Sequence, residues 1–298
     1  MARRVQNLEG PDDAMRNLLE LVAFPSRGRI RGRKTQLAFE RDVSALAASG
    51  RGELVPVSEA ALEPLPTAVQ RYLRFMRVPG RPRDWSLRMS LQGRFRLAPT
   101  ASWRRIRAWQ YDTRVEITRL FYMQLDWMPG IPLIGRDTYR AGRGRLLVRP
   151  WDLFTVEDTT GSELDLGELV TYLNDAILFA PSLVLGPETT WSPAGDDAFI
   201  VSLRDSGHTV TAQVTLDEQG APACFTTSDR FVQDLNDSRH SFVRCRWSTP
   251  VSGWQSLQTR PIPRAGKAVW HLPQGDFCYA EFAFDPEQVH FNVHPAPS

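Results

Sequence analysis

The sequence predicts an α+β fold: a large curved antiparallel β-sheet, a half-barrel-like meander, interrupted by one amphipathic helix and covered by helices. Three observations carry that reading. Residues 85–97 alternate apolar and polar side chains almost without a break, residues 115–127 repeat the pattern, and residues 164–178 switch to helical spacing. The chain of 298 residues has ample length for a full core. Turn residues recurring at intervals of about ten favour one continuous antiparallel sheet over β-α-β units.

Residues 1–60 read as a helical, basic appendage. Two short amphipathic patterns, Met15/Leu18/Leu19/Val22 and Leu37/Val43/Leu46, flank the stretch Arg27-Gly28-Arg29-Ile30-Arg31-Gly32-Arg33-Lys34. That octamer reads as a solvated linker; the alternative is weak contact with an anionic surface through Arg27, Arg29, Arg31, Arg33 and Lys34. The sheet domain spans 61–298. It opens with a helix over 65–76, where Pro66 suits a first turn and Leu65, Val69, Tyr72, Leu73 and Met76 share one face.

In the first strand Trp85, Leu87, Met89, Leu91, Phe95 and Leu97 stand on one side, with Ser86, Arg88, Ser90, Gln92, Arg94 and Arg96 on the other. At ~3.3 Å per residue such a run spans about 43 Å, more than twice a typical strand, so the sheet must be large and curved. The second run sets Val115, Ile117, Phe121, Met123, Leu125 and Trp127 against polar neighbours, with Arg119 and Leu120 out of phase. Shorter strands follow at 101–111, 133–140, 143–149 and 152–158. Then Leu166, Leu169, Val170, Leu173, Ala176 and Ile177 form a helical face opposed by Glu168, Thr171, Asn174 and Asp175, and Pro181 ends the run. Strands resume from 199 to 291.

Composition narrows the function. A net charge of +2 argues against a protein devoted to neutralising a phosphate backbone, so nucleic acid is not an expected partner. No stretch approaches the ~18 apolar residues of a membrane span. Cys224, Cys245 and Cys278 are odd in number and in no metal-like spacing, which suits a reducing compartment, and the chain reads as cytoplasmic. No GxSxG, Walker, GxGxxG or HExxH signature occurs, and no cofactor or metal is expected. His290 and His294 have helical ligand spacing but sit in a strand-like alternation that would hold them about 13 Å apart.

Several motifs carry a family resemblance. Leu65-Pro66-x-x-Val69-Gln70-Arg71-Tyr72-Leu73, Gly93-Arg94-Phe95-Arg96-Leu97, Gly135-Arg136-Asp137-x-Tyr139, Gly161 to Leu173 and Trp270-His271-Leu272-Pro273-x-Gly275-x-Phe277 resemble a family of uncharacterised bacterial proteins known only as a domain of unknown function. The likeness covers about residues 60–285 and implies no activity. The order of elements also resembles the lipoprotein-carrier fold, a curved half-barrel closed by helices over an apolar face.

Two functional expectations follow. The first is non-catalytic binding of a hydrophobic small molecule or lipid in an apolar groove lined by Trp85, Leu87, Met89, Leu91, Phe95, Phe121, Met123, Leu125 and Trp127. The second, from a different class, is a hydrolase using Glu163, Asp165 and Glu168 with Tyr172, Arg136 or His271. The simpler reading of the acidic group is helix capping, through Ser162-x-x-Asp165 or Asp165-x-x-Glu168.

Overall fold

The computed structural model describes residues 34–50, 55–128, 130–233, 242–257 and 260–293. Helix α1 covers Lys34–Ser49 and α2 covers Thr67–Phe75. The first meander runs β1 (Ser86–Phe95), β2 (Arg104–Thr113), β3 (Thr118–Met128), β4 (Ile131–Arg140), β5 (Arg143–Pro150) and β6 (Glu157–Thr160). Helix α3 (Ser162–Phe179) follows. The second meander comprises β7 (Thr189–Pro193), β8 (Ala198–Asp205), β9 (His208–Leu216), β10 (Pro222–Gln233), β11 (Phe242–Ser252), β14 (Ala265–Leu272) and β15 (Gly275–Ala283). A small pair, β12 (Gln255–Leu257) and β13 (Arg260–Ile262), stands apart, and β16 (Val289–Phe291) pairs with β1.

The strand order β6-β5-β4-β3-β2-β1-β15-β14-β11-β10-β9-β8-β7 makes one fourteen-stranded antiparallel sheet once β16 is added. The two meanders join where β1 pairs with β15, from Gln92 opposite Ala283 to Phe95 opposite Ala280. Gly93 lies at that seam, and a Cβ there would stand 2.1 Å from the Glu281 carbonyl oxygen. Only glycine lets the two backbones pair so closely.

Curvature follows from two contacts. Helix α3 packs against both β5 and β10, which lie eight strand spacings apart in the order, about 38 Å if the sheet were flat. A helix only ~10–12 Å across touches both because the sheet curls around it. Tyr139 on β4 donates its hydroxyl to Asp205 Oδ2 at the end of β8 at 2.7 Å, and His208 Nε2 lies 3.1 Å from the Gly142 carbonyl oxygen. The half-barrel is therefore drawn together beside the first turn of α3 and stays open at the opposite end.

Two apolar clusters occupy the two faces. The inner one joins α2, α3 and the concave side of both meanders, including Val69, Tyr72, Leu87, Leu173, Phe199 and Phe225. The outer one is built by α1, whose Phe39, Val43 and Leu46 pack on Trp85, Tyr111, Leu120, Tyr122 and Ile134. Gly50, just after α1, allows this approach, since a Cβ there would meet the Trp85 ring at 2.0 Å. Arg27, Arg29, Arg31 and Arg33 lie outside the described residues, and Lys34 opens α1.

Candidate functional site

A cavity of about 1050 Å³ fills the open end of the half-barrel, between the concave sheet and α3. Hairpin-end residues at 97–100, 127–128, 131–133 and 272–274 line it. The walls are apolar, because β3 turns Phe121, Met123 and Leu125 inward at every second position while Trp247, Trp270 and Phe282 face them from the second meander. Leu97, Val156 and Val243 at the rim are 42%, 37% and 47% exposed, so apolar surface continues outward from the mouth.

The floor is polar. Glu168, Thr171, Asn174 and Asp175 recur at helical spacing along α3 and all line the cavity. The sequence sets this stripe opposite the helix's apolar face; the sheet wraps both sides of α3, so the stripe meets the chamber and not bulk solvent. Arg119, out of phase in the sequence pattern, stands on the same inner face as Phe121, because the strand proper begins at Thr118. Its Nη1 donates to Glu168 Oε2 at 2.9 Å and its Nε to Asp175 Oδ2 at 2.8 Å. Gln110 Nε2 donates to Asp112 Oδ2 and Asp175 Oδ2, at 2.6 Å each. Thr249 Oγ1 donates to Asn174 Oδ1, and Asn174 Nδ2 to Asp175 Oδ1.

Burial dominates the electrostatics of this floor. Burial alone would lower the Arg119 pKa, but the Asp175 and Glu168 carboxylates outweigh it and hold the guanidinium firmly charged. Burial, reinforced by the Asp175 charge, lifts the Asp112 carboxyl well above the usual range. Asp137, on the inner side of β4, is raised to about 7 by burial and then by Glu168, against the opposing pull of Arg119 and Arg230.

The sequence-predicted residues divide. Met89, Leu91 and Phe95 from β1, with Phe121, Met123, Leu125 and Trp127 from β3, line the cavity. Leu87 is buried in the inner core beyond it, and Trp85 belongs to the outer cluster beneath α1. The chain enters β1 only at Ser86, so the alternation does not extend back to Trp85.

The acidic residues of the α3 start are drawn to different partners. Glu163 Oε2 accepts from Ser162 Oγ at 2.9 Å. Asp165 Oδ1 accepts from the Gly144 N–H of the β4–β5 hairpin at 2.7 Å, so it ties that hairpin to α3 and does not cap the helix; the N-cap, Gly161, has no side-chain cap bond. A Cβ on Gly144 would stand 2.2 Å from the Leu164 carbonyl oxygen, which explains the glycine. Glu168 pairs with Arg119. Tyr172 is fully buried and its hydroxyl has no partner among the described residues. Arg136 faces outward and pairs with Asp42 of α1.

His271 joins a short relay on the outer face. Its Nε2 lies 2.8 Å from Ser248 Oγ and its Nδ1 2.7 Å from Asp276 Oδ1. None of the three lines the cavity, and Ser248 is 5% exposed. The geometry spaces a hydroxyl, an imidazole and a carboxylate as a nucleophile relay would, yet the hydroxyl lies within the sheet surface with no chamber beside it. No group of three metal-ligating side chains forms among the described residues, and no described helix is long and apolar enough to cross a membrane.

Sequence reasoning missed Arg119, Asp137 and Arg230. Arg230 lines the cavity although strict alternation from Phe225 and Thr227 would turn it outward, because the β10–β11 register shifts between Thr227 and Arg230.

Comparison with known proteins adds the family. Three solved structures are similar: a lipoprotein-sorting protein domain from Vibrio parahaemolyticus, a LolA superfamily protein from Nitrosomonas europaea and a DUF1329 family protein from Desulfovibrio piger. The first is 10% identical, covers 70% of this chain and 85% of its own, and has a TM-score of 0.36. The second is 10% identical at 74% and 92% coverage, TM-score 0.39; the third is 8% identical at 80% and 95%, TM-score 0.40. Superposition is loose in every case. No curated protein matches the sequence. The profile of one family matches residues 55–282, from before α2 to within β15, and the chain therefore belongs to the family of unknown function DUF6544.

Proposed function

We propose that the protein binds a hydrophobic small molecule or lipid, without transforming it, in the chamber between α3 and the concave sheet. One observation carries this reading: a space of about 1050 Å³, walled by aromatic and aliphatic side chains, persists in a domain that otherwise buries its apolar residues closely. Ligand sites of ~300–1,000 Å³ with mostly apolar walls and a few convergent polar groups have this character. Water filling the chamber would face apolar walls along most of its depth. An alkyl chain removes that contact and gains dispersion along its length.

Native mass spectra of the purified protein, taken before and after mild denaturation, test the reading. The expected result is a released hydrophobic species of discrete mass, or uptake of an added alkyl ligand at one-to-one stoichiometry. Protein that arrives empty and takes up no alkyl ligand overturns it.

A further inference from the structure

We infer that the bound molecule is a long-chain carboxylic acid whose carboxylate docks on Arg230, at the junction of the cavity's polar floor and its tryptophan wall. This rests on the binding function proposed above and names the chemistry of the head group.

Arg119 is fully compensated, with Glu168 and Asp175 at ion-pair distance. Arg230 is not: no carboxylate among the described residues lies within ion-pair distance of it. Its Nη1 donates to Thr171 Oγ1 at 3.1 Å, while its Nε is buried without a partner. Its guanidinium stacks over the Trp247 ring at 4.5 Å and lies 5.5 Å from the Trp270 ring centre. The aromatic faces stabilise the cation but leave its in-plane N–H donors unused. A half-buried cation with idle donors at the edge of an apolar chamber is costly without an anion at hydrogen-bond distance, and no described carboxylate of the lining comes that close.

With Nη1 held by Thr171, the donors left without a partner among the described residues are Nε–H, buried against the wall, and the adjacent Nη2–H, which runs parallel to it in one plane. That fork matches the two oxygens of a carboxylate. The β10 bulge places it there, since without the extra residue between Thr227 and Arg230 the side chain would face outward.

Asp137, whose Oδ1 is buried without a partner, lines the same cavity and feels the Arg230 charge. The charged groups facing it are Glu168 of α3, Arg119 of β3, Arg230 of β10 and Glu157 of β6. With its pKa raised to about 7, it is protonated for a good part of the time at neutral pH and can then donate to a monoanion. The unpaired edge of Arg230 and the donor acid beside it select a planar head group of single negative charge, with an alkyl tail lying toward Phe121, Met123 and Leu125.

The test compares dodecanoate, dodecanol and dodecyl phosphate by isothermal titration and by quenching of tryptophan emission. At pH 6 dodecanoate is expected to bind about tenfold or more tightly than dodecanol, in keeping with hydrogen bonds to a charged partner. Arg230→Gln collapses that ratio toward unity, and Arg230→Lys restores part of it, because a point charge replaces the fork. With wild-type protein alone, dodecanoate binding weakens as pH rises from 6 to 8, while Asp137 ionises, and dodecanol binding stays level. Equal affinities for acid and alcohol, or a tighter fit for dodecyl phosphate, overturn the carboxylate assignment and leave the binding function standing. Failure of all three ligands to bind overturns both.

Discussion

Arg119 shows why the polar floor constrains the fold as well as the cavity. It lies at 4% exposure between Glu168 and Asp175, so replacing it with methionine removes one charge and strands two. Unpaired buried charges of this kind cost about 3–5 kcal/mol. Arg119→Met is therefore expected to lower stability by about that amount at pH 7 in urea unfolding, with most of the loss recovered when Asp175→Asn and Glu168→Gln are added. Asp137 makes the opposite prediction. Its folded pKa of about 7 lies above the unfolded value near 4, so folding favours its protonated form. That contribution is fully present below about pH 4 and is lost as pH rises through about 7. Asp137→Asn should therefore raise the melting temperature more at pH 8 than at pH 5; equal shifts at both would show that Asp137 ionises normally in the fold. The sequence pattern conceals both residues. Arg119 reads as a phase error in a strand, and Asp137 only as one position of a family-like motif in the strand of 133–140, because only the curled sheet converts those positions into the lining of a chamber.

At the scale of elements, the legible features are the periodic ones. Leu87 to Phe95, Phe121 to Trp127 and the apolar face of α3 stand inside as their spacing requires, and the meander–helix–meander order follows from turns and period changes. What the spacing cannot reveal is where the phase shifts. A bulge in β10 carries Arg230 inward, and another irregularity between Ala268 and Val269 on β14 shifts its register against β15. Nor does spacing show that both sides of α3 are covered, which turns its polar stripe toward the interior. Helix α1 falls within the span expected to be an appendage, yet Phe39 is 0% exposed and packs on Tyr122 with ring centres 6.0 Å apart. Arg136 and Asp42, and Arg88 and Glu40 at 2.9 Å, tie the same helix to β4 and β1. Phe39→Ala is expected to cost about 3–5 kcal/mol, the usual loss for a buried phenylalanine. A change under 1 kcal/mol in chemical denaturation would mean that α1 stands on the sheet without stabilising it.

The whole molecule couples a tight end to an open one. Tyr139 with Asp205 fastens the two meanders, Asp165 with Gly144 fastens the first of them to the start of α3, and the chamber is lined toward the hairpin ends at 97–100 and 272–274. Closure at one end keeps the sheet curled without filling it, so apolar surface remains for a ligand. The fold thereby gives up dispersion energy that a packed core would have gained. Filling the space should reverse that trade. Met123 lines the cavity and is only half-buried, so Met123→Trp projects a larger ring into the open volume. If the chamber is a ligand site, the variant loses dodecanoate binding while its ligand-free melting temperature stays level or rises, because new contacts replace void. The wild type should gain about 2.7 kcal/mol at a ligand concentration one hundred times its dissociation constant, and the variant none. A variant that is destabilised yet still stabilised by the ligand would place the binding surface elsewhere on the molecule.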